Sequence, residues 1–422
     1  MSRPLSPEIE QQNRRIRALM AQMSHADAGE SLNSLVKELA EAKRRLAEMM
    51  RSESPVSSRA EEAPRKSVGA MLGPETTGLR VDTALKLQPV PTGIYHLLDP
   101  ETDPLLPVNI TNLTNDPRRL CVTSYIEGIS ARAIKTLEFS RSEIKKPKTI
   151  PLLPSLLPDQ ARRITEIQRA TLHVVVDIFG STMNPQTRTD TWSSLVESHD
   201  THSILLLSRN SGFNAVEDPE TGTRRDLTRY YGAWVTPHVE PVQALVRRAA
   251  DRVPDHRIAG YQGRRDTEAT AAQVRALFET LKAEGLSYVD SVIDFGAGPG
   301  QVTQRTRLPR ESLGGASGRH KSANCIDGTV LMASLLEAAS LQPAIVLIPG
   351  HAFVAWETWE GTDEWDYLET TMIASHDFEA ARQRARELFD HFSKEDLPSD
   401  DGPLLRVLKL NDLRAQDIWP ME

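Results

Sequence analysis

The stretch from Ser322 to Thr371 constrains this chain more than any other. It reads SANCIDGTVLMASLLEAASLQPAIVLIPGHAFVAWETWEGTDEWDYLETT and changes hydrophobic period as it goes. Behind Cys325, the residues Ile326, Val330, Leu331, Leu335, Leu336 and Ala339 recur at helical spacing. Pro343 must end that helix, since it lacks an N–H and its ring clashes with the preceding turn. Ala344–Pro349 is a short continuous apolar run of the kind a buried strand has, and Gly350 breaks it. His351–Glu357 and Trp365–Thr371 then have the composition of two more strands around a turn at Gly361.

The order of these elements suggests a chemistry. A thiol at a helix N-terminus meets unpaired backbone N–H groups and the positive end of the helix dipole, both of which favour thiolate. A histidine on a strand packed against that helix can take the thiol proton and return it to a leaving group. A carboxylate on the next strand orients the imidazole and stabilises its charged form. Two acids on that strand compete for the last role, Asp366 and Glu369. A hairpin turn centred near Glu360 places Glu369 across from His351 and Asp366 across from Val354, on the opposite face of the pleat. Glu369 is therefore the expected partner, although a bulge or one-residue slip would exchange the two.

NCIDG before a long helix, then PGHAFV, then YLETT, together resemble the catalytic core of the transglutaminase-like superfamily of cysteine enzymes. The likeness takes in VTQRTRLPRESL upstream and TMIASHDFEAA and LLRVLKLNDLRAQDIWPM downstream, and so spans roughly Tyr231–Glu422. In this long form it is most similar to transglutaminase-like regions of large bacterial helicase-type and defence-associated proteins. The resemblance implies a papain-like α+β catalytic domain with Cys325 as nucleophile, His351 as general base and Glu369 as third member, where many relatives have aspartate. It also implies that Gln304, in a Gln-x-x-Arg-x-Pro segment, contributes to an oxyanion hole. Many relatives have glycine shortly before the cysteine; here Ser322-Ala323-Asn324 intervenes, and asparagine tolerates unusual backbone angles. Each residue alone has a plainer reading: a cysteine before an apolar helix is usually a small buried residue, and a fold can persist as a binding module after its chemistry is lost.

The rest of the chain sets bounds. At 422 residues it has room for two or three domains. A net charge of −8, with arginines only in short pairs such as Arg247-Arg248, gives no basic stripe for nucleic acid. Cys121 and Cys325 are the only cysteines, which suits a reducing cytoplasm and offers neither a disulfide framework nor a zinc site. No signal peptide or membrane-length apolar run is expected, and no cofactor is implied.

The expected organisation is multidomain α+β. Residues 1–50 carry heptad-like apolar positions (Ile9, Ile16, Leu19, Met23; Leu32, Leu35, Leu39, Leu46, Met49) and form a helical hairpin or coiled-coil arm. That arm either binds a partner or a second copy, or packs as amphipathic helices on its own body. Its removal, through residue 77, is expected to alter assembly and spare the chemistry. Residues 51–79 are a flexible linker. Residues 80–214 hold several short strands with regular turn signals, a β-sandwich with the immunoglobulin-like type among its candidates; Cys121 is expected in its core. Residues 215–422 are the catalytic domain, with further helices around Val239–Ala249, Val274–Leu281 and Phe378–Phe392. Val289–Gln301 imitates the glycine turn of a methyl-donor fold, but no apolar-periodic helix follows it, so no S-adenosylmethionine site is expected.

The expected function is cysteine-dependent acyl transfer on a protein substrate, a protease or amidase acting through a thioester. A protein-crosslinking transglutaminase and a catalytically silent scaffold are the alternatives, since the same triad serves both reactions and can outlive them.

Overall fold

Alternating aliphatic residues govern the first half of the chain. The computed structural model describes residues 73–183, 190–213, 215–217, 224–263, 265–289, 303–314, 321–394 and 405–421, with helical positions scattered between 8 and 49. Of the linker expected at 51–79, residues 51–72 lie outside the described residues, as do residues 290–301 of the expected glycine turn; Pro74–Thr77 are instead a short helix, and Leu79 opens the first strand. The chain divides into two compact units, one formed by residues near the N-terminus together with those after 226, the other by the residues between.

The middle unit contains strands β1 (Leu79–Thr83), β2 (Leu106–Asn112), β3 (Arg118–Ile126), β4 (Ala133–Phe139), β5 (Pro147–Leu152), β6 (Gln168–Met183) and β7 (Asp190–Leu206). They form two antiparallel sheets, in orders β1-β2-β5 and β4-β3-β6-β7, so the chain crosses between sheets at β2→β3, at β4→β5 and again at β5→β6. Each sheet has one fully buried row: Leu106, Val108 and Ile110 in the first, Leu120, Val122, Leu172, Val174 and Val176 in the second. The period of two that fills those rows excludes Cys121. It lies between Leu120 and Val122, opposite Thr136 and Asp177, and is half-buried on the other face rather than in the core.

The second unit is organised around one sheet. Strands β8 (Pro343–Ile348), β9 (His351–Glu357), β10 (Trp365–Leu368) and β11 (Arg406–Lys409) pair antiparallel in the order β10-β9-β8-β11. Helices α1 (Glu240–Ala250), α2 (Thr267–Ala283), α3 (Cys325–Ala338), α4 (Phe378–Lys394) and α5 (Leu410–Ala415) surround it. The turn joining β8 to β9 is Pro349-Gly350, closed by the Ile348–His351 pair. Proline presets φ at the first turn position and Gly350 takes φ 73° at the second, so His351 is the first residue after a tight, well-defined corner.

Helix α3 is the buried axis of this unit. Every residue from Ile326 to Leu336 is buried, and the helix packs against α1, α2, β8 and β9. A helix apolar on all sides belongs inside a core. On the sheet, Ala344, Val346, Ile348, Phe353 and Ala355 join Ala385, Leu388 and Phe392 of α4 in one apolar cluster. That cluster also contains Ile16, Leu19, Leu39 and Ala42 from the helical positions near the N-terminus, with Leu35 and Met49 packed against it. The described apolar positions of that segment are thus buried in this chain's own core, and Gln12 Nε2 donates to the Ala42 carbonyl at 2.9 Å. Among the described residues no helix is long and apolar enough to cross a membrane.

Candidate active site

Cys325 is the first residue of α3. Asn324 caps the helix in extended backbone (φ −91°, ψ −171°), so it uses none of the unusual angles that asparagine tolerates. Its Oδ1 accepts from Asp327 N at 2.8 Å while Asp327 Oδ2 accepts from Asn324 N at 3.2 Å, a reciprocal capping box. The first-turn N–H groups left over by any helix lie beside the thiol.

His351 enters from the Pro349-Gly350 corner and is nearly inaccessible, its side chain 7% exposed. Nε2 stands 2.6 Å from Glu369 Oε2, and the Cys325 side chain is near enough to act on the ring. Glu369 uses its other oxygen, Oε1, to accept from Thr371 N at 3.0 Å and Thr371 Oγ1 at 2.7 Å. Both carboxylate oxygens are therefore engaged in a buried site. Burial alone would push the imidazole pKa down, but the Glu369 charge, the Cys325 side chain and the hydrogen bond to Glu369 outweigh it and raise it to about 10. The same balance acts on Glu369: burial pushes its pKa up, yet the His351 charge and the bonds from His351 and Thr371 leave it below the ordinary value.

The hairpin register differs from the expected one. Val354 pairs with Leu368 and Trp356 with Asp366, two residues further along, because the turn centres on Gly361 (φ 72°) and not on Glu360. A shift of two preserves the face of every side chain, so Asp366 still lies opposite in parity to His351. Strand β10 also stops at Leu368, short of the expected Thr371. Glu369 caps a 3₁₀ turn over Thr370–Met372, with the Thr371 bonds as its cap. Asp366 is committed elsewhere: its oxygens accept from Arg382 Nε at 2.6 Å and from Arg386 Nε and Nη2, each at 2.7 Å.

Gln304 lies in a short strand, Thr303–Arg305, whose Gln304 side chain is outside the described residues. The segment that carries it is fastened to the thiol helix: Arg307 N donates to Asp327 Oδ1 at 2.7 Å, and Arg307 Nη1 donates to Ser322 Oγ at 2.9 Å. Asp327 was not foreseen in this role. It is 1% exposed, and burial raises its pKa against the bonds from Arg307 and Asn324. The Cys-x-Asp spacing was its only signal, since an acid at the third helical position is a cap residue.

Tyr231 was also missed. It is buried in the 3₁₀ segment Thr228–Trp234, which packs on α3, and its phenol is pushed up by burial first and by the charge of Cys325 second. Arg414 fixes this segment, donating to the Gly232 and Val235 carbonyls at 3.0 and 3.1 Å while pairing with Glu337 of α3. The aromatic run Tyr230–Trp234 was the available hint. Among the described residues no three histidine, cysteine or acidic side chains stand close enough to hold a metal ion. No family model and no curated protein matches this chain.

Proposed function

We propose that this chain is a cysteine-dependent acyl-transfer enzyme of transglutaminase-like type, working as a protease or amidase on a protein substrate. The observation that carries this is the buried His351 held between the Cys325 side chain and the Glu369 carboxylate, with its pKa raised to about 10. At neutral pH that imidazole is charged and faces the Cys325 side chain at a helix start.

The thiolate of Cys325 attacks a carboxamide or peptide carbonyl. Helix N–H groups at the start of α3 are suited to the developing oxyanion, a role that the resemblance also implies for Gln304. His351 then gives its proton to the departing amine, leaving a thioester. A water, deprotonated by His351, attacks the thioester, and the acid and free Cys325 are released. Glu369 holds the ring in orientation and opposes its charge throughout. An amine in place of water gives crosslinking instead. The two sheets of the middle unit, with their crossovers at β2→β3, β4→β5 and β5→β6, fit an immunoglobulin-like sandwich that recognises the protein substrate.

The test is a comparison of native and Cys325→Ala protein incubated with cell lysate, reading new peptide termini and new crosslinks by mass spectrometry. New termini with the native protein alone are expected. New crosslinks without termini would assign transamidation, and activity surviving Cys325→Ala would remove the cysteine from the chemistry. Cys325→Ala is expected to melt close to the native protein, since the thiol is half-exposed at a helix end.

A further inference from the structure

Gly328 lies in the first turn of α3, one helical turn beyond Cys325, with its N–H in an ordinary helical bond to the Asn324 carbonyl at 2.9 Å. Nothing in that backbone calls for glycine, which is the poorest helix former after proline. The reason lies across the packing interface. A Cβ at Gly328 would stand 2.9 Å from Thr370 Oγ1 and 3.2 Å from Thr370 Cβ, with Ala323 Cβ at 3.9 Å. Rotating Thr370 about χ1 could remove the first contact but never the second, because Cβ does not move with χ1. The backbone of the 3₁₀ turn would have to retreat, and Glu369 is the residue just before Thr370.

Thr370 itself is 4% exposed, and its buried Oγ1 has no hydrogen-bond partner. Its position is therefore set by contact with the helix and not by a bond of its own hydroxyl. We infer that Gly328 is a positioning residue: its missing side chain lets the Glu369 turn seat directly on the first turn of the Cys325 helix, and this close approach sets the grip of Glu369 on His351. The 2.6 Å separation of His351 Nε2 and Glu369 Oε2 leaves little tolerance for retreat of the turn. Helix and turn thus meet at one glycine, which fixes the spacing of the two elements that carry Cys325 and Glu369.

The effect on turnover rests on the acyl-transfer function proposed above; the effect on His351 does not. The experiment is Gly328→Ala in the full chain, with two readouts: steady-state kinetics, and the titration of the His351 ring by NMR, its resonance assigned by loss in His351→Gln. The expected result is a kcat lower by about 10–100-fold with KM nearly unchanged, and a His351 midpoint clearly below that of the native protein. The double variant Gly328→Ala/Thr370→Gly, which removes both contacted atoms, should return the midpoint towards the native value. Native kinetics and a native midpoint in Gly328→Ala overturn the inference, as does a double variant that moves neither value back. If Gly328→Ala fails to fold, the double variant alone decides: folding with a native midpoint supports the inference, and folding with a lowered midpoint, or not folding at all, overturns it. Should Cys325→Ala retain activity while the His351 midpoint shifts as expected, the acyl-transfer function falls and the role of Gly328 stands.

Discussion

Replacing Glu369 with glutamine tests the arrangement most directly. The native carboxylate accepts on both oxygens, Oε2 facing His351 Nε2 at 2.6 Å and Oε1 taking the Thr371 N–H and hydroxyl at 3.0 and 2.7 Å. Glutamine has one carbonyl oxygen. Whichever way its amide is turned, an NH₂ group faces a donor, either the imidazole or the Thr371 N–H. A buried donor left unsatisfied costs ~1–3 kcal/mol, and that is the expected loss of stability. The charge effect is larger. His351 titrates at about 10 instead of its ordinary 6.5, against a burial effect that works the other way. At ~1.4 kcal/mol per tenfold, the charges and bonds around the ring favour imidazolium by on the order of 5 kcal/mol. Without the Glu369 charge, burial draws the pKa back down.

Turnover of Glu369→Gln should fall by about 10³–10⁴-fold, and the limb of the pH–rate profile owed to His351 should move from about 10 towards lower pH. Stability carries the same signature. Because the folded pKa lies above the ordinary 6.5, the His351 contribution is complete below pH 6.5 and is lost as pH rises through about 10. Chemical denaturation at a series of pH values should show this decline in the native protein and a much weaker one in Glu369→Gln. Native turnover with an unmoved pH profile would refute the role of Glu369, and an equal loss in Asp366→Asn would transfer that role to Asp366.

Two further outcomes are expected. Asp366→Asn should spare turnover and cost ~1–3 kcal/mol in denaturant melts, since the carboxylate is 2% exposed and serves Arg382, Arg386 and its neighbour's N–H. Deleting residues 1–57 should abolish folding of the second unit, as read by circular dichroism and loss of soluble protein: Ile16, Leu19 and Leu39 are buried to 5% exposure or less, and at ~1.5–3 kcal/mol each their loss rivals the whole stability of a domain. A deleted protein that melts like the native one would show that those side chains contribute little. This reverses the sequence-based expectation that the deletion spares the chemistry.

Much of the site was legible because its signals are local. The apolar spacing behind Cys325 marks α3 in sequence, and the helix runs Cys325–Ala338; it ends ahead of Pro343, with Ser340 at φ 58°, and Pro343 opens the next strand. The Pro349-Gly350 pair announces the corner that delivers His351. The period of two sets Asp366 on the face opposite His351 in either register, because parity survives a shift of two residues, whereas Glu369 lies past the end of the strand and reaches His351 from a 3₁₀ turn. Position along the pleat is a property of the strand alone.

What the sequence could not supply is which surfaces meet. The register followed from Gly361 taking positive φ in a turn whose length several neighbouring residues could have set. The residues near the N-terminus carried an apolar stripe equally suited to a second copy or to their own body. Only the apolar row Ala344, Val346, Phe353 and Ala355, some three hundred positions later, selects the second. Asp327 needs Arg307, and Gly328 needs Thr370, before either residue has a visible purpose. Local periodicity fixes where each side chain points along its own element, because that depends on backbone geometry a few residues long. Which partner it meets depends on the closure of loops of many tens of residues, whose outcome is decided by the total burial of the unit and leaves no trace in any short stretch of chain.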